Sequence, residues 1–157
     1  MKPRITAAAG LAVAIVAVSS SALLLRGNSN AAAVRHTCSA TDRQFLGAAQ
    51  LNMAALGTLS QDYLQGDAEA DDVILQADSA VTSLVNTNPS DPSLSKTRTI
   101  LRAMFLNYGR AIRADKRHHD PGKYIYRAYG LANFAHDVLS QARPALAKRG
   151  CDVSPLL

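Results

Sequence analysis

Between residues 41 and 149 the apolar positions recur at three-, four- and seven-residue steps, the spacing that returns to one face of an α-helix. No segment alternates with period two over a useful length, so no strand is predicted. The first segment carries Leu46, Ala49, Met53, Leu56 and Tyr63 on one stripe of a helix of about 25 residues. Thr41 and Gln44 stand in capping-box spacing at its start, and Gly66 marks its end. Asp67 is the expected cap of a second helix, in which Glu69, Asp71 and Asp72 supply the negative charge that a helix N-terminus favours. Its stripe is Ala70, Ile74, Ala77, Val81 and Leu84.

Residues 86–93, with Pro89 and Pro92, read as the clearest loop. Asp91 then caps a third helix whose first position is Pro92, where the missing N–H costs nothing. Leu94, Leu101, Met104, Phe105, Tyr108 and Ile112 form its apolar face. A polar turn over 117–119 and a second Asp-Pro pair, Asp120 and Pro121, open a fourth helix with Ile125, Ala128, Ala132, Ala135, Leu139 and Leu146 on one side. Pro144 should kink this helix or end its regular part, and Gly150 fits the position after its C-cap. The pattern predicts an all-α fold, an antiparallel up-down-up-down four-helix bundle formed as one domain by residues 34–157. A weak echo runs through it at an offset of 55 residues: Leu46, Ala48, Leu51 and Asn52 return as Leu101, Ala103, Leu106 and Asn107.

Ahead of this body, Lys2 and Arg4 precede a largely apolar run over residues 5–25, and Ala31, Ala32 and Ala33 supply small residues suited to signal peptidase. Residues 1–33 therefore read as a secretory signal peptide cleaved after Ala33. The competing reading is an uncleaved anchor helix, because the run is also about the length of a bilayer span. Either places the protein outside the cytoplasm, secreted or held at the cell envelope. In that oxidising setting the chain's two cysteines, Cys38 and Cys151, should pair with each other. An up-down-up-down bundle puts the start of its first helix beside the end of its fourth, so the same pairing follows from topology.

Export also changes the charge. Of the five excess positive charges, Lys2, Arg4 and Arg26 lie in the signal and leave the remainder at +2, which argues against nucleic acid as the partner. The remaining charge is uneven: residues 92–149 hold twelve lysines and arginines against three aspartates. Arg102, Arg110, Arg113 and Arg117 share one face of the third helix and form a basic ridge. Its functional reading is attraction to anionic lipid or an anionic envelope polymer through guanidinium forks that match phosphate. The plainer reading is a solvated face that complements the acidic second helix.

Other candidate chemistry is sparse. His118, His119, Asp120 and His136 hold the residue types of a two-histidine, one-carboxylate metal triad, but Asp120 serves better as a helix cap, and no metal is expected. Tyr129, Ala132 and His136 lie together on the fourth helix, where haem or a small apolar ligand would find an iron ligand beside a small residue. The same positions also fit the wetted edge of an apolar face. No catalytic motif is present and no cofactor is required, so the sequence reads as a binding or structural protein rather than an enzyme. A carrier of a small apolar or haem-like ligand is the alternative.

Overall fold

The computed structural model describes residues 37–157. The expected signal or anchor over residues 1–33 lies outside them. Four helices follow one another, α1 (Ala40–Gln65), α2 (Ala70–Val85), α3 (Pro92–Lys116) and α4 (Gly122–Lys148), with a terminal 3-10 turn (Ser154–Leu156). No helix of the described residues is long and apolar enough to cross a membrane.

The first two helix starts differ from those read in the sequence. The cap of α1 is Ser39, whose hydroxyl accepts from the Asp42 N–H at 3.0 Å; Thr41 already lies inside the helix. The cap of α2 is Glu69 rather than Asp67, in a capping box with Asp72. A carboxylate does the work of the usual Ser or Thr there, so this start lacks the usual Ser/Thr signature. Asp91 and Pro92 open α3 as expected, with the aspartate accepting from Ser93 and Leu94 N–H. Gly66 and Gly150 follow α1 and α4 with φ of +86° and +73°, a left-handed turn that a Cβ disfavours. Pro144 is accommodated inside α4, which continues to Lys148.

Packing follows chain order. α3 is the central element, applied most extensively to α4 and α2, while α1 lies on α2 with a smaller contact to α3 and to the terminal turn. α1 and α4 share no comparable interface. Phe45, Leu84, Leu94, Phe105, Leu139 and Leu146 are buried at the centre, and each such side chain contributes about 2 kcal/mol by leaving water. In α1 the expected Ala49 and Leu56 are buried and Leu46 and Tyr63 pack half-buried against the core, but Phe45 and Asn52 are buried beside them while Met53 is exposed. In α2, Val73, Ala77, Ala80 and Leu84 are buried, and Ile74 and Val81 are their half-buried flank.

The internal echo has a structural counterpart. The buried positions Phe45, Ala49 and Leu56 correspond at the same offset to buried Ile100, Met104 and Ala111, and Val73, Ala80 and Leu84 to Ala128, Ala135 and Leu139. Asn52 and Asn107 both donate from Nδ2 to the carbonyl four residues back, at 2.7 and 2.8 Å. Asn52 also meets Ser83 and Gln76. At the same offset Gln76 and Ser83 correspond to Leu131 and Val138, which offer no side-chain hydrogen bond, and Asn107 Oδ1 is buried without a partner.

One end of the molecule is fastened chemically. Cys38, just before α1, and Cys151, just after α4, form a disulfide with Cα atoms 4.8 Å apart. Next to it the buried carboxylate of Asp42 accepts from Ser90 N–H (2.7 Å), Ser90 hydroxyl (2.9 Å) and Asp91 N–H (3.0 Å), tying α1 to the loop before α3. Asp91 in turn is paired with Arg149 at the end of α4. Val153 is buried beyond Cys151, so the tail packs back on the same end.

Candidate functional site

The opposite side of α3 leads to a different chemistry. At its C-terminus the amides of Arg117, His118 and His119 return to the carbonyls of Ala114 and Asp115, with His118 in a left-handed conformation at φ 58°. Asp120 then accepts from the Gly122 N–H at 2.8 Å, holding the first turn of α4. The formal cap position is Pro121, one residue later than expected, but the carboxylate of Asp120 still serves the new helix. This tight reversal brings the start of α4 against the last turns of α3.

Between them lies an open hollow of about 290 Å³ lined by Arg110, Arg113, Arg117, His119, Lys123 and Tyr124, with Ala114 and Asp120. Lys123 Nζ lies 4.8 Å from the ring centre of Tyr124. A second hollow, about 320 Å³, lies on the other side of Arg113 and Arg117, where Asp71, Ile74 and Lys116 complete the wall. The basic ridge is thus divided between two environments.

Toward α2 it is neutralised. Arg113 is paired with Asp78, and Lys116 Nζ with Asp71 at 2.6 Å. Gly109 permits the Arg113 contact: a Cβ there would approach Arg113 Nη1 to 3.2 Å and the Ala77 methyl to 3.4 Å. Asp115 is also engaged, accepting from Tyr63 Oη at 2.6 Å. Burial, followed by this carboxylate, pushes the Tyr63 phenol up to about 12. The complementary-face reading therefore holds for this half of the ridge.

Toward α4 the cations outnumber the acids, with Asp120 the one carboxylate in the wall of the first hollow. Among the described residues Arg110, Arg117, Lys123 and Arg127 have no carboxylate within 4.0 Å. α4 also begins without an acidic residue in its first turn, whereas α2 begins with Asp71 and Asp72. Lys123 therefore adds positive charge in the first turn, near the positive end of a helix dipole, an arrangement that disfavours the isolated protein and favours an anion nearby. Arg102 belongs to neither hollow. It is half-buried further back along α3, and its Nε is buried without a partner.

The remaining candidates lie elsewhere. Tyr129 is largely exposed, Ala132 is half-buried, and the exposed His136 has its Nδ1 3.8 Å from Asp137; neither hollow includes any of the three. Ala135 and Met104, which face inward, are buried core residues. Among the described residues the only group of three metal-type ligands within 4.8 Å is Cys38, Asp42 and Cys151, whose sulfurs are joined to each other. The spacing along α3 pointed to Arg110, Arg113 and Arg117 but not to Lys123 or Tyr124, which enter the site only through the turn between helices. The available signal was the Asp-Pro start of α4 directly after a basic helix end. No protein-family model, curated protein or solved structure matches the chain.

Proposed function

We propose that this is an exported interaction protein, its four helices alternating in direction, which docks onto an anionic partner through the turn between α3 and α4. The observation that carries the reading is the convergence of Arg110, Arg113, Arg117, His119 and Lys123 on one open hollow, with Arg110, Arg117 and Lys123 free of carboxylate partners among the described residues. Guanidinium forks lining one hollow fit the oxygens of phosphate groups, and an open wall suits a surface or polymer rather than an enclosed small molecule. The disulfide and the signal-like N-terminal sequence support a site of action outside the cytoplasm.

Calorimetric titration of the full-length chain with short-chain inorganic polyphosphate tests the site. Binding should weaken as salt rises and should be lost in R110Q/R117Q, while the matched removal of two charges in R143Q/K148Q, at the other end of α4, should leave most of it. Equal losses in the two variants would reduce the effect to net charge and overturn the site. Mass measurement of the protein in its native fraction tests export, with cleavage after Ala33 as the expected product.

A further inference from the structure

The basic hollow does not end at Lys123. One turn on, the first half of α4 presents Tyr126 and Tyr129 with 80% and 57% of their surfaces exposed, and Arg127 between them. Lys123 and Tyr126 are three residues apart and Lys123 and Arg127 four apart, so these side chains adjoin on the outer side of the helix. From residue 121 to residue 136 there is no aspartate or glutamate. The result is a continuous surface in which unpaired cations from α3 and α4 border exposed phenol rings.

Resting on the anion-docking reading above, we infer that the partner is an anionic phospholipid surface, with the outer face of α4 between Lys123 and Tyr129 lying in the headgroup layer. An anionic polymer in solution would be served by the cations alone and would leave Tyr126 as wetted apolar area. A bilayer interface uses both parts: Lys and Arg meet lipid phosphates, and amphipathic aromatic rings lie at the boundary between headgroups and acyl chains. Charge complementarity selects an anionic bilayer over a neutral one. The hollow accepts headgroup phosphate between Arg110, Arg117 and Lys123 while Tyr126 enters the interface beside it.

The chain contains no tryptophan, so Y126W provides a single indole at the centre of the proposed contact. Full-length Y126W is mixed with vesicles of phosphatidylcholine alone or phosphatidylcholine with phosphatidylglycerol. Residues 1–33, whose Lys2, Arg4 and Arg26 also favour anionic lipid, are common to all samples, so their contribution is separated by the R110Q/R117Q comparison and by an indole that reports only the α4 face. The expected result is a blue shift, with quenching by brominated acyl chains, on the anionic vesicles only. With two arginines removed, R110Q/R117Q/Y126W should require roughly thirtyfold more anionic lipid for the same shift. An indole that stays solvent-exposed on both vesicle types overturns the membrane inference, as does a shift of equal size on both. If polyphosphate still binds in a manner sensitive to R110Q/R117Q, the anionic site stands and its partner is a soluble polymer. If polyphosphate also fails to bind, both readings fall.

Discussion

Asp42 retains only 3% of its surface, yet it has no basic partner within ion-pair distance among the described residues; three hydrogen bonds from Ser90 and Asp91 replace the water it lost. Burial raises its pKa, but the Asp91 N–H and the Ser39 and Ser90 groups outweigh burial and hold it below the ordinary 3.8. Asp91 follows the same balance, with burial opposed chiefly by Arg149 and then by the Leu94 N–H. A carboxylate whose folded-state pKa is depressed stabilises the fold above its unfolded value, and this stability is lost as pH falls through the folded-state value. The urea midpoint should therefore stay nearly level from about pH 7 to about pH 5 and decline below about pH 4. D42A strands the Ser90 and Asp91 donors and should cost about 3 kcal/mol at neutral pH while flattening the acid decline. An unchanged acid limb in that variant would remove Asp42 from the account.

At the scale of the helices, three C-termini use the same left-handed reversal, but only two have glycine there. α1 and α4 end on Gly66 and Gly150, whereas α3 ends with His118 at φ 58°. A non-glycine residue in this conformation carries a penalty on the order of 1 kcal/mol, so H118G should raise stability by about that amount in a denaturant titration. Its helix content should be unchanged, and a loss of stability would show that the histidine side chain contributes packing that outweighs its backbone strain. The same elements show what sequence makes legible. Asp91 with Pro92, Gly66 and Gly150 act through nearest-neighbour chemistry, and each was readable. On α1, Ala49 and Leu56 follow from the helical spacing, but Asn52 takes the inward place that spacing gives to Met53, and nothing local announces a buried asparagine satisfied by Ser83 and Gln76 from another helix. The anionic site divides in the same way. Arg110, Arg113 and Arg117 follow from helical spacing, but the loss of Arg113 to Asp78 and the gain of Lys123 depend on packing between helices.

Across the whole molecule the disulfide has a task that helix packing leaves undone. Packing proceeds from α1 to α2, α3 and α4, and the first and last helices share no extensive face that would close the circuit. Cys38 and Cys151, 113 residues apart, supply that closure, assisted by the Asp42 and Asp91–Arg149 contacts at the same end. In the chain-entropy account, a loop of this length removes about 4 to 5 kcal/mol of unfolded-state freedom. That is a large part of the total stability of a domain this size, where about 5 to 15 kcal/mol is usual. C38A/C151A should therefore lose about 4 kcal/mol of unfolding free energy while retaining its helical circular dichroism at low temperature. Hydrogen exchange should show the loss unevenly. The interfaces of α3 with α4 and α2 are independent of the bridge and should remain the most protected, whereas the residues next to the bridge, at the start of α1 and the end of α4, should lose the most protection. A uniform fall in protection would mean that α1 and α4 unfold only with the core, and would make the disulfide a support of the whole fold rather than the closure of its two ends.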